Sequence, residues 1–166
     1  MHQAYLSLGS NIKPEPNLLK ALNLLQEHGK ILKVSNAWES EAVGSDGPNF
    51  LNACVLFVTP FSHEELKENV IHPVEAKLGR KRSADKYAPR TIDIDIVIFD
   101  DQLMNDKFWQ QAFVVIPLAE IYPEYRIAVT DESAVEAATR LHQQVWIKER
   151  PEVLSQFNGN SSKSPT

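Results

Sequence analysis

Cysteine is almost absent from the chain: Cys54 is the one thiol among 166 residues. No internal disulfide can therefore brace the fold, and a hydrophobic core has to do so. Cys54 lies in the apolar run LNACVLFV and reads as a small core residue in a reducing compartment. No apolar run approaches the roughly 18 residues that a membrane span needs. The start, MHQAYLSLGSN, has neither a basic stretch nor an apolar one, so the expectation is a cytoplasmic protein without membrane contact. Basic charge is short as well. Seventeen Lys and Arg against 22 Asp and Glu leave a net charge of −5, which argues against nucleic acid as a partner. There is no internal repeat, no phosphate-binding GxxxxGK[ST] loop and no kinase glycine loop, so those nucleotide-binding schemes are excluded.

What is present is ordinary in amount: 43% hydrophobic and 23% charged residues, enough apolar surface for one core at this length. The expected organisation is a single domain over residues 1–154 and a polar, Gly/Ser-containing disordered tail, 155–166. Ala4 to Leu8 reads as a strand ending in the turn Gly9-Ser10-Asn11. A helix follows over Pro16 to His28, with Leu18, Leu22 and Leu25 at helical spacing. Ile31 to Ser40 and Phe50 to Val58 read as an antiparallel pair of strands round a Gly/Pro loop. From His63, Leu66, Val70, Val74 and Leu78 mark a second helix closed by Gly79, with Pro73 expected to kink it. Thr91 to Phe99 is a strongly apolar strand. A short strand over Ala112 to Ile116, a helical turn to Ile121 and a last helix over Glu132 to Lys148 complete the expectation. Strand, helix, strand, strand, helix, strand is the order of a ferredoxin-like α+β sandwich, an antiparallel sheet with both helices on one face. That fold serves enzymes, RNA binders and regulatory modules alike. The RNA-binding reading lacks its aromatic strand motifs and the charge to go with them.

The informative segment is RTIDIDIVIF, Arg90 to Phe99. Strand alternation puts Ile92, Ile94, Ile96 and Ile98 on one face and Asp93, Asp95, Val97 and Phe99 on the other. Strand residues two apart are separated by ~7 Å, within reach of one cation or an adjacent pair. Carboxylates beside a sheet core need a positive partner. Salt bridges to nearby arginines are one answer; a hard divalent cation such as Mg²⁺ is the other. The preceding loop, GRKRSADKYAPR, concentrates Arg80, Lys81, Arg82, Lys86 and Arg90, forked donors of the kind a polyphosphate needs. In GPNFLN, Phe50 and Asn52 share a side, so a ring and an amide could stack on and bond to a flat heterocycle.

Together LGSN (Leu8–Asn11), FLN (Phe50–Asn52), GRxR (Gly79–Arg82), PRTIDIDI (Pro89–Ile96) and FVVIPLAEIYPE (Phe113–Glu124) resemble the 6-hydroxymethyl-7,8-dihydropterin pyrophosphokinase family of folate biosynthesis, over residues 4–125. The resemblance implies that Asp93 and Asp95 hold two Mg²⁺ ions on the phosphates of ATP, the substrate. Arg80 and Arg90 would assist transfer. Glu75, Arg80, Arg82, Tyr87, Arg90 and Ile96 would contact ATP, and Ser40, Val43, Phe50, Asn52 and Phe113 the pterin. Asp95, or a metal-bound hydroxyl, would ease deprotonation of the attacking hydroxyl. The partners implied are these two small molecules, with the protein a monomer. One departure stands out. The family carries a His-Pro motif and then an Arg before the segment matching Phe113, whereas here DDQLMNDKFWQQAF is shorter, lacks His-Pro and has Gln111 at the Arg position. The alternative reading is thus a degenerate homologue that binds pterin or nucleotide with little or no transfer.

Overall fold

The computed structural model describes residues 1–42, 47–80 and 89–157. Its strands are β1 (His2–Ser10), β2 (Lys30–Val34), β3 (Ala37–Ser40), β4 (Phe50–Thr59), β5 (Asp93–Phe99), β6 (Gln102–Leu103) and β7 (Ile147–Arg150). Its helices are α1 (Pro14–Gln26), α2 (His63–Leu66), α3 (His72–Lys77), α4 (Ala112–Ile121), α5 (Ala134–His142) and α6 (Pro151–Leu154). Among the described residues the strands form one seven-stranded sheet in the order β6-β5-β1-β4-β3-β7, with β2 also pairing β4. Every pairing is antiparallel. The α+β sandwich read from the pattern is the fold observed.

Alternation along the central strands makes two cores. Ala4, Leu6 and Leu8 of β1 and Leu51, Ala53, Val55 and Phe57 of β4 face α1 and the α2–α3 helix, so the first two helices do share a face. Tyr5, Cys54 and Leu56 point the other way, into a second cluster with α4 and α5. Cys54 is fully enclosed there, and burial pushes its thiol well above the ordinary range, so it is inert.

Between α2 and α3 the chain stays helical through a π turn, Lys67–Ile71, in which the His72 N–H reaches back five residues to Lys67 O. The widened turn sits directly before Pro73, whose ring would otherwise crowd the carbonyl four residues back. The expected kink is thus absorbed as one extra residue per turn. Gly79, at φ +80°, then closes α3 with Arg80 N–H on Glu75 O at 3.1 Å, a left-handed cap that suits glycine.

Four expectations are corrected. Ala112–Ile116 is no strand but the first half of α4, which is buried between the sheet and α5. Its β-branched run reads as strand because this half of the helix carries no polar residue to betray its period. The helix expected over Glu132–Lys148 ends at His142, and Ile147–Arg150 pairs instead with β3 as strand β7. In β5, Tyr5 pairs with Ile98 and Leu6 with Ile96, so Val97 is an extra residue in a bulge. The bulge reverses the alternation: Ile98 joins the second core and Phe99 the first, while Ile92, Ile94 and Ile96 stay together. At the other end Val153, Leu154 and Phe157 are buried in the first core, so packing runs three residues beyond the expected boundary at 154. No helix among the described residues is long and apolar enough to cross a membrane.

Candidate active site

The second face of the sheet is only half covered. Where α4 lies, the strands present Tyr5, Cys54, Leu56 and Val97. One turn further along, the same face carries Ser7, Gly9, Asn52, Asp93 and Asp95, and these floor a cavity of about 430 Å³. The register explains their meeting: Ser7 lies opposite Asp95, and Gly9 sits between Asp93 on one side and Asn52 on the other. A Cβ at Gly9 would stand 3.1 Å from Asn52 Oδ1, so a larger residue there would press on that amide oxygen. Asn52 Nδ2 donates to Ser40 Oγ at 2.8 Å and to Trp38 O at 3.1 Å. With both donors used, its Oδ1 is the atom left for a ligand. Phe50 at the rim and Phe113 on the first turn of α4 line the same cavity. Ser40, Phe50, Asn52 and Phe113, expected from the sequence to line one pocket, are therefore brought together.

Asp93 and Asp95 also line a second cavity, of about 440 Å³, with Lys67, His72, Glu75, Arg80 and Ile96. The carboxylates are thus the wall between two cavities. Their surroundings differ. Asp93 is gripped on both oxygens, by Arg80 Nη1 at 2.9 Å and Arg90 Nη1 at 3.0 Å. Arg80 Nη1 also meets Glu75 Oε2 at 2.5 Å, and Glu75, 3% exposed, accepts the Ile94 N–H at 2.9 Å. Burial pushes the Glu75 carboxyl up, against the pull of Ile94 and Arg80. Asp95 opens onto both cavities, and among the described residues nothing donates a hydrogen bond to it. Desolvation within the concavity, then the charges of Asp93 and Glu75, push its carboxyl up to about 7, with Arg80 and Arg90 pulling the other way. Salt bridge and cation, alternatives from the sequence, thus divide between the pair: Asp93 has its arginines, and among the described residues Asp95 has no ion pair of its own. An exposed, under-compensated carboxylate beside a second one fits a hard divalent cation.

Asn11, 5% exposed, ties the pieces together. Its Oδ1 accepts Arg90 N–H at 2.7 Å, its N–H donates to Arg90 O at 3.1 Å, and its Nδ2 reaches Pro48 O at 3.4 Å. The turn after β1 thereby anchors both the arginine entering β5 and the chain leading to Phe50.

Val43, Arg82 and Tyr87 lie outside the described residues. Trp109 does not offer a stacking face to the cavities. It is 2% exposed and packs near Tyr125. Lys107 lines neither cavity. Gln111 lines the first. Sequence reasoning missed Phe108, which lines both cavities, and Lys67 and His63, which line the second. Phe108 carried no signal beyond being aromatic, and the π turn that begins at Lys67 was invisible in the helical spacing.

A half-covered antiparallel sheet with paired carboxylates between two cavities defines a ferredoxin-like α+β domain with a two-part concave site. The sequence model of the 7,8-dihydro-6-hydroxymethylpterin-pyrophosphokinase (HPPK) family matches residues 5–123. The chain belongs to this family. It is 34% identical over 153 residues to the 2-amino-4-hydroxy-6-hydroxymethyldihydropteridine pyrophosphokinase of Bacillus subtilis, covering 85% of this chain and 90% of that one. It is 33% identical over 130 residues to a folate synthesis bifunctional protein of Arabidopsis thaliana, covering 72% of this chain and 27% of that protein. The solved HPPK-DHPS of Plasmodium falciparum with pteroate superposes with a TM-score of 0.68 at 14% identity. That match covers 98% of this chain and 47% of the other, and at such identity it speaks for the fold alone. The chain thus spans nearly all of one relative and under half of the fused ones.

Proposed function

We propose that the protein transfers diphosphate from MgATP to 6-hydroxymethyl-7,8-dihydropterin in folate biosynthesis. The pterin hydroxymethyl oxygen attacks the β-phosphorus, the bond from that phosphorus to the α,β-bridging oxygen breaks, and AMP leaves. The observation that carries this is the shared wall: Asp93 and Asp95 face both cavities, so a hydroxyl held on one side and a triphosphate on the other meet at the same carboxylates. The first cavity suits a flat, amide-edged heterocycle, with Phe50 and Phe113 at its walls and Asn52 Oδ1 free to accept from an exocyclic amine. The second, with Lys67, His72 and Arg80, suits a nucleotide. Asp93 and Asp95 would hold the Mg²⁺, two ions in our reading, and the metal supplies charge neutralisation for the phosphate oxygens.

The chain's own residues orient and neutralise. Glu75 fixes Arg80 against Asp93, and Arg90 approaches from the other side, so two guanidinium groups stand where negative charge builds up on the transferred group. Asp95 is placed to accept the proton of the attacking hydroxyl. Ile96, Arg82 and Tyr87 contact ATP and Val43 contacts the pterin in the same reading. The test is release of AMP from ATP, Mg²⁺ and the reduced pterin. Turnover establishes the kinase; pterin binding without AMP identifies the degenerate homologue to which the altered segment at Asp106–Ala112 points.

A further inference from the structure

The segment that departs from the family pattern folds as a single 3₁₀ turn, Asp106–Gln110. Three residues per turn put Phe108 and Gln111 on one side, and Gln111 N–H donates to Phe108 O at 3.1 Å. Phe108 lines both cavities and Gln111 the first. Trp109 leaves on the opposite side. Its ring lies 6.0 Å from that of Tyr125, and its indole N–H donates to Glu132 Oε1 at 2.9 Å. Glu132, just before α5, is held in turn by Arg140 on that helix. Nε donates to Oε2 and Nη2 to Oε1, both at 3.0 Å, a two-pronged fork. Arg140 Nη1 also reaches back to Gln110 Oε1 at 3.4 Å. Hydrogen bonding from Arg140 keeps the Glu132 carboxyl below its usual range and the guanidinium above its own. Neither Trp109, Glu132 nor Arg140 lines either of the two cavities. A lone 3₁₀ turn has little stability of its own, so whatever grips it decides where its residues stand.

We infer that Trp109, Glu132 and Arg140 are positioning residues: from outside the site they latch the 3₁₀ turn to α5 and so hold Phe108 and Gln111 against the two cavities. The kinetic consequence rests on the function proposed above. Phe108 and Gln111 contact bound molecules without touching the reacting bond. Loosening the latch therefore weakens binding of both substrates and leaves the chemical step alone.

The test is a double-mutant cycle. Arg140→Gln and Glu132→Ala are each made in the wild-type and in the Phe108→Ala background, and KM for ATP, KM for the pterin and kcat are measured. In the wild-type background both KM values rise about tenfold with kcat within about twofold; in the Phe108→Ala background the same changes cost less than about twofold. Glu132→Gln keeps an acceptor for the indole N–H but loses one prong of the fork to Arg140, so its KM values fall between wild type and Glu132→Ala. Equal losses in both backgrounds, or a loss confined to kcat, overturn the latch. Hydrogen exchange supplies a reading independent of turnover. Arg140→Gln, a change at a partly exposed side chain, speeds exchange at the Phe108 and Gln111 amides and leaves α1 unaltered. If the wild type releases no AMP, the proposed function falls while the exchange comparison still decides the latch: unchanged exchange at those two amides overturns it.

Discussion

The two cavities on either side of the aspartates are built by different means. The first rests on the middle of the sheet, where β1, β3 and β4 fix Gly9, Ser40, Asn52 and Phe50 through their register, and its neutral amide and hydroxyl, Asn52 and Ser40, are bonded to each other beside the charges at the shared wall. The second lies against the open edge of β5, closed by a helix with a π turn and by charged side chains. There Glu75 substitutes for a neighbouring strand by accepting the Ile94 N–H. A cavity floored by paired strands is shaped before any ligand arrives, whereas one assembled from charges at a strand edge depends on what neutralises them. Shape recognition belongs to the first and charge handling to the second.

The largest effect that would break or sharpen this contrast comes from the wall itself. Asp95→Ala should cut AMP release by at least about a thousandfold while the melting midpoint holds or rises, because a charge repelling Asp93 and Glu75 is gone. Asp93→Ala should also abolish transfer but lower the midpoint, since Arg80 and Arg90 lose the carboxylate they share. Identical thermal behaviour of the two variants would erase the distinction between the carboxylates. Next, Phe50→Ala and Phe113→Ala should each weaken pterin binding by about 1–3 kcal/mol and leave ATP binding nearly unchanged. Parallel losses for both ligands in separate titrations would mean that the rings are core.

Smaller still, Gln111→Arg should tighten ATP about tenfold, the worth of one charged hydrogen bond to phosphate. No gain would show that Gln111, which lines the first cavity, stands away from the phosphates. The smallest effect is on stability. The Asp95 carboxyl is raised to about 7 in the folded protein against about 3.9 unfolded, so between those values the folded state holds a proton that the unfolded state has released. Stability from this source is present at low pH and lost as pH rises through about 7. The metal-free protein should therefore melt lower at about pH 8 than at about pH 5, and Asp95→Asn should flatten that slope. A slope unchanged by the substitution would assign the effect to another group.

Much of the first cavity was legible in the sequence. Alternation in RTIDIDI put Asp93 and Asp95 on one face, and the same rule put Phe50 and Asn52 on one side, because a strand's period needs only its neighbours in sequence. The second cavity was harder to read. Lys67 stands at the start of a π turn that leaves no mark on a four-residue spacing, and Phe108 owes its place to Glu132 and Arg140, distant in the chain. The misread of α4 has the same root: Phe113-Val114-Val115-Ile116 is apolar in every direction because sheet and α5 cover it, and burial erases the periodicity that separates helix from strand. Strand β7 escaped notice since IKER has no alternating pattern and becomes a strand through its pairing with β3.

That pairing bears on how the protein is made. Glu39 of β3 accepts from Arg150 of β7 at 2.6 Å across 111 residues and from Asn49, beside Phe50, at 2.8 Å. As a chain emerges from the ribosome, β3 stands as a bare edge until β7 has been synthesised, and an unpaired edge is where nascent chains pair wrongly with one another. Closing so long a loop is also slow relative to the local hairpins. Synthesis that stalls after α5 would therefore release a molecule whose sheet is largely formed but whose substrate-side border remains open to aggregation.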